Sequence, residues 1–263
     1  MGLVISFVIG FVLMIFMLKL KKGDPFPKGT VGKLIIAGII SCVVSVAVSI
    51  ILSLLVFIMR AGSDGLMELI ELAKAGDQTG LKSFMDGLIA EHIIPLPLYV
   101  FIKTLITIGI VEEVSKYIFI KNVIKKEGVV RTWMDIVIGF GLGGLSFEIF
   151  ENIIYTAKSG PLLGIIRGLT PGHLCVGVIM GFYLGKYYYN MQKINRILMI
   201  TIPVLVHTIF DTALNWMTDD IPAALQMCGP LAVVLMLVLA VIIIVKLLWW
   251  HKKGTLDMEI RIG

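Results

Sequence analysis

The sequence predicts an all-α polytopic membrane protein: a bundle of about seven transmembrane helices with a polar active site buried between them. Three observations carry that prediction. Hydrophobic residues make up 58% of the chain and charged ones 16%, with a mean hydropathy of +0.97. Soluble domains run near roughly 45–50% apolar and about 25% charged. A spanning helix needs about 20 apolar residues, so roughly six to eight spans with short loops use the whole chain as one transmembrane domain, 1–263. Finally, ionisable residues interrupt the apolar runs in clusters: Glu112-Glu113 with Lys116, Glu148 with Glu151-Asn152, His173, and His207 with Asp211. A charge at the bilayer centre costs roughly 2.5–3.5 kcal/mol, so a chain with several is expected to gather them between helices.

The candidate spans lie near 2–20, 34–59, 93–120, 133–157, 169–189, 197–217 and 222–250. The first lacks a basic leader and a small-residue cleavage site, so it reads as a retained span. Pro230 in the last predicts a tilt or kink. Segment 60–92 repeats apolar residues at helical spacing on either side of Gly76-Asp77. It predicts two short amphipathic helices forming an extracytoplasmic connector.

Basic residues sort by loop. Loop 19–33 holds Lys19, Lys21, Lys22, Lys28 and Lys33, loop 121–131 holds Lys121, Lys125, Lys126 and Arg131, the 186–196 turn holds Lys186, Lys193 and Arg196, and the tail holds Lys252 and Lys253. These are alternate connections, and the positive-inside rule makes their side cytoplasmic. The expected topology is N-terminus outside and C-terminus inside. The net charge of +5 is therefore topogenic. No basic stripe with interleaved aromatics points to nucleic acid, and the expected surroundings are the lipid bilayer. Cys42, Cys175 and Cys228 all fall in predicted spans, at spacing unsuited to a disulfide framework or a thiolate zinc site.

Helix arithmetic tests whether the polar clusters meet. Glu112 and Lys116, Phe147 and Glu151, Glu148 and Asn152, and His207 and Asp211 are each four apart, so each pair shares a face. At about 1.5 Å per residue, Glu112, Glu151 and His207 reach similar depths, with His173 nearer the outer surface. Gly139 with Gly143, and Gly177 with Gly181 and Gly185, form small-residue ladders that allow close helix packing. Pro203, one turn before His207, frees a backbone carbonyl near the site.

In this order, Glu112-Glu113-x-x-Lys116, Phe147-x-x-x-Glu151-Asn152, Pro171-Gly172-His173 and His207-x-x-x-Asp211 resemble the PrsW intramembrane proteases over about residues 100–215. The wider clan includes the prenyl endopeptidases and bacteriocin-processing proteins, which carry His and Asn where this chain has Glu151 and Asp211. The resemblance implies a core at about 93–217 and an endopeptidase in the bacterial cell membrane. It implies a membrane-protein or peptide substrate, an anti-sigma factor among them. It assigns catalysis to Glu112, Glu113, Glu151, His173, His207 and Asp211, with Glu112 favoured as base. Glu148, Asn152 and Phe147 are expected to contact substrate. Glu148 departs from the family, which usually has a small residue there.

Two mechanisms stay open. Either a Glu activates water directly, or a divalent metal such as zinc, held by some of Glu113, Glu151, His173, His207 and Asp211, does so. The metal-free form is favoured. A rival reading is an ion- or proton-coupled transporter using the same buried groups. The lack of an inverted repeat of the charged motifs counts against it.

Overall fold

The computed structural model describes residues 2–90, 95–126, 131–159, 166–217 and 221–260. All of the regular elements described are helical: α1 (Gly2–Lys19), α2 (Thr30–Ala75), α3 (Gln78–Ala90), α4 (Leu96–Thr104), a π-helical turn (Leu105–Gly109), α5 (Ile110–Lys126), α6 (Trp133–Ser159), α7 (Gly172–Asn190), α8 (Lys193–Asn215), α9 (Ala223–Gln226) and α10 (Cys228–Lys253). The protein is an all-α polytopic membrane protein. Among the described residues, five helices are long and apolar enough to cross a membrane. They correspond to the second, fourth, fifth, sixth and seventh expected spans. The first is the shorter apolar helix Val4–Lys19. The third is α4, the π turn and α5 in succession, where Glu112, Glu113 and Lys116 interrupt the apolar run.

Helix α6 is the hub. Within its apolar stretch 89% of residues are buried, against 17% for the stretch in α10. Ile136, Val137, Ile138, Phe140, Leu142 and Phe147 are wholly enclosed. The glycine ladders explain this burial. A Cβ at Gly177 would stand 2.6 Å from the Phe140 carbonyl oxygen, and a Cβ at Gly144 would strike the His173 carbonyl. Backbones of α6 and α7 therefore lie in direct contact. Gly139 and Gly143 face Ile124 and Ile120, seating α5 on the other side of α6.

The outer helices each bury one stripe. On α10 the stripe is Met236, Ala240, Ile243 and Leu247, spaced at helical intervals. Leu231, Val234, Val241 and Val245 of the same helix are exposed, as are Phe11, Val12, Ile50, Ile51, Ile197 and Ile209 elsewhere. An apolar girdle of this extent is the surface a bilayer solvates.

The basic connections gather at one end. Lys21 pairs with Asp135 at 2.9 Å, Lys22 with Asp257 at 2.9 Å, and Arg131 with Asp24 at 2.6 Å. Trp133 stacks on Tyr189, joining the 186–196 turn to them. Asp135 accepts the Arg131 and Thr132 backbone N–H groups at 3.1 Å, capping α6 as its position suggests.

Two expectations need adjustment. The helix of the second span does not end near 59. It continues to Ala75 through a kink at Gly62, whose φ of 69° suits glycine. The break expected at Gly76-Asp77 is present, with Gly76 left-handed at the end of α2. Pro230 is the third residue of α10, where its missing N–H costs nothing, and the chain breaks earlier, at Met227.

Gly177→Leu is expected to destabilise the protein by about 1–3 kcal/mol or more, because the side chain must enter the Phe140 backbone. Thermal unfolding of the detergent-solubilised protein checks this. An unchanged midpoint would mean that α6 and α7 are not in backbone contact.

Candidate active site

The π turn sets the site's first wall. Its extra residue per turn leaves carbonyls unpaired, and Ser49 of α2 donates its hydroxyl to the Thr107 carbonyl. Gly109 follows, packed against Thr208 of α8. This contact brings α5 onto α8 one turn before the acidic pair. Glu113, Lys116, Ile120 and Ile124 then form the buried stripe of α5.

Lys116 is the centre of the network. Its Nζ donates to Glu113 Oε1 at 2.6 Å and to His173 Nδ1 at 2.7 Å, and lies 3.7 Å from Glu112 Oε2. The ammonium also sits 4.1 Å from the centre of the Phe147 ring. The sequence pairs Lys116 with Glu112 at i+4. The structure gives it mainly to Glu113 at i+3, because the long side chain leans back along the helix toward the deeper acid.

Glu113 Oε1 is shared. His207 Nδ1 donates to it from 2.8 Å. The other ring nitrogen of His207 lies 3.3 Å from Asp211 Oδ2 and 3.8 Å from Glu112 Oε2. The His173 and His207 rings meet edge to face at 5.0 Å. His173 is therefore not set apart toward the surface as expected. Helix α7 starts at Gly172 with its first turn sunk into the bundle.

Beyond His173 lies a second group. His173 Nε2 faces Glu151 Oε2 at 2.8 Å. Arg167 also donates to Glu151 Oε2, and its Nε donates to Asn152 Oδ1 at 2.9 Å. Asn152 in turn donates to Ser6 of α1 at 2.8 Å. The structure thus brings Glu112, Glu113, Glu151, His173, His207 and Asp211 into one connected site. A cavity of about 30 Å³ opens beside it, lined by Glu148, Asn152, Arg167, His173, Val176, His207, Phe210, Asp211 and Met236 among others.

The residues expected to touch substrate are placed differently from one another. Phe147 is fully buried, a lid over Lys116 and His173, and does not line the cavity. Glu148 accepts the backbone N–H groups of His173 and Leu174 at 3.2 and 3.4 Å, so it caps the sunken start of α7 while also bordering the cavity. Asn152 lines the cavity but is held between Arg167 and Ser6.

Sequence reasoning overlooked Arg167 and Ser6. A signal for Arg167 was available: it sits outside the four basic connections, on the side otherwise poor in base.

The model of the PrsW family, described as intramembrane metalloproteases, matches residues 78–245, which contain every site residue on α5 to α8. The chain belongs to the PrsW family. Protease PrsW of Oceanobacillus iheyensis is 30% identical over 120 residues, covering 44% of this chain and 56% of that protein. Protease PrsW of Bacillus subtilis is 38% identical over 87 residues, covering 30% and 40%. Protease PrsW of Clostridioides difficile is 27% identical over 113 residues, covering 39% and 48%. The chain thus matches about half the length of these PrsW relatives. They are all named as proteases, and none supports the transporter reading. No solved structure matches.

The family description implies a metal. Glu112, His173 and His207 place one ligand atom each within 4.8 Å of one another, and Glu112 Oε2 is buried without a hydrogen-bond partner among the described residues. A catalytic zinc takes three protein ligands. His173 cannot be one of them as it stands. An ammonium only donates, so its bond at Nδ1 consumes the lone pair of the neutral ring, and Nε2 then carries the hydrogen toward Glu151. The set does not fit a divalent ion in this arrangement.

Arg167→Ala is expected to destabilise the protein by up to roughly 3–5 kcal/mol, because it strips Glu151 of its cation. Adding Glu151→Gln is expected to restore part of that loss. A double-mutant cycle on thermal or denaturant stability measures the coupling. Simple additivity of the two changes would mean that no ion pair exists.

Proposed function

We propose that this chain is an intramembrane endopeptidase that hydrolyses a peptide bond of a membrane-protein substrate, with Glu112 as the base on water. The observation that carries this reading is the state of Glu112 Oε2. It is buried, has no hydrogen-bond partner among the described residues, and stands 3.8 Å from His207 Nε2. Its neighbour Glu113 also leaves Oε2 without a partner among the described residues, but it has no accessible side-chain surface and its Oε1 is committed to Lys116 and His207, whereas the Glu112 side chain keeps 10% of its surface accessible.

The chemistry runs on this chain's own groups. Glu112 takes a proton from water, and the water oxygen bonds to the substrate's carbonyl carbon. The carbonyl electron pair moves onto its oxygen, which His207, as an imidazolium held by Glu113 and Asp211, stabilises by donation from Nε2. The proton passes from Glu112 to the amide nitrogen as the carbon–nitrogen bond breaks. His173, Glu151 and Arg167 hold the far wall. The core at about 93–217 supplies all of these groups.

The substrate is a membrane protein that enters from the lipid or the outer side, and the family resemblance favours the extracytoplasmic part of an anti-sigma factor. The protein lies in a bacterial cell membrane with its N-terminus and the 60–92 connector outside and its C-terminus inside. The Lys/Arg asymmetry of the loops supports that orientation. A cysteine at Lys28, an exposed position, should resist membrane-impermeant thiol reagents in intact cells in a background lacking the three native cysteines. Labelling from outside would invert the topology.

Glu112→Gln keeps the size of the side chain and removes its basicity. It is expected to lower cleavage of a membrane-embedded reporter by about 10²–10⁴-fold with the fold intact. Lys103→Ala, on the exposed face of α4, should be mild. Full activity in Glu112→Gln would move the base to Glu113 or Glu151.

A further inference from the structure

We infer that Lys116 is the site's resident cation, a positioning residue that commits His173 to donate at Nε2 and closes the Glu112–His173–His207 cluster to a divalent ion. The inference deepens the hydrolytic reading, and its metal-binding arm stands without it.

The geometry gives Lys116 no alternative role at a surface. Its side chain is 1% exposed, and its ammonium faces Glu113, Glu112, His173 and the Phe147 ring from one point. Those are the partners a metal ion would seek: two carboxylates and an imidazole. An ammonium is a compact point charge with three donors and no acceptor, so it can neutralise the acids yet cannot activate water as a Lewis acid.

The consequence for the two histidines differs. At His173 the lysine takes the Nδ1 lone pair, leaving Nε2–H to donate to Glu151. At His207, Nδ1–H donates to Glu113, the acid that Lys116 also holds, and Nε2 is left toward Glu112 and Asp211. One lysine therefore sets the orientation of one ring directly and of the other through Glu113. A divalent ion at the same cluster would have to lie near the ammonium and take back the His173 lone pair. Both costs are large in a site shielded from water.

The test is zinc binding by the full chain in detergent, measured against a competing chelator, together with ¹⁵N spectra of histidine-labelled protein. Wild type is expected to show no zinc site that depends on His173, and to show His173 unprotonated at Nδ1 and protonated at Nε2. Lys116→Met removes the charge and releases Nδ1. It is expected to bind zinc roughly 10–100-fold more tightly than wild type, the range by which outer groups tune metal sites. That gain should vanish when His173→Ala is added. A wild-type chain that holds one zinc lost in His173→Ala would overturn the inference, as would a wild-type His173 protonated at Nδ1. Lys116→Met with wild-type zinc affinity and an intact fold would also overturn it. If Lys116→Met does not fold, the wild-type zinc and ¹⁵N measurements decide alone. Cleavage by wild type in the presence of the chelator is scored separately. A chain that cleaves nothing rejects the protease reading and leaves the zinc result standing.

Discussion

The charge on Lys116 is the constraint from which the rest of the site follows. An ammonium enclosed among apolar helices, with 1% of its side chain exposed, draws its acceptors from the protein itself. Glu113 and His173 supply those acceptors from two different helices, α5 and α7. Once they are in place, His207 on α8 has a fixed partner in Glu113, and Glu151 on α6 has one in His173. Four helices are tied by polar bonds through a single side chain. Apolar packing alone does not choose among rotations of a lipid-bathed helix, since its faces are all equally greasy.

Close backbone approach makes the polar ties possible. Glycines at the α6–α7 crossing remove the side-chain layer between the helices, so short reaches suffice. The sunken start of α7 would otherwise bury free N–H groups, and Glu148 meets two of them. That duty accounts for an acid at Glu148. It serves the helix end as much as the cavity.

Much of this was legible in the sequence. Hydropathy marked the spans, and the four-residue spacings marked which side chains share a face. The glycine ladders marked close helix packing without naming the partners: Gly177 and Gly181 meet α6, whereas Gly139 and Gly143 face α5. What was not legible is equally specific. The π turn has no residue signature in Leu105–Gly109, so the relative rotation of Glu112 and Glu113 was out of reach, and with it the choice of Glu113 as partner of Lys116. The bond from Arg167 to Glu151 joins two segments whose relative placement periodicity does not give. The depth of His173 depends on where α7 begins, and helix ends are the least certain feature of an apolar run. Burial of Phe147 over Lys116 is a tertiary fact with no local precursor.

The π turn also has a genetic meaning. Relative to an ordinary α-helix it is a single extra residue, so an ancestral helix acquires it by the insertion of one codon. Because the wider turn absorbs the extra residue, removing one codon from 105–109 would restore regular winding and leave the downstream face nearly where it is. Rewinding the same residues as an ordinary α-helix would instead turn Glu113 and Lys116 by about 100°, one residue's share of a 3.6-residue turn, away from the face that meets α8. The site thus depends on how this short stretch is wound as well as on the side chains that follow it.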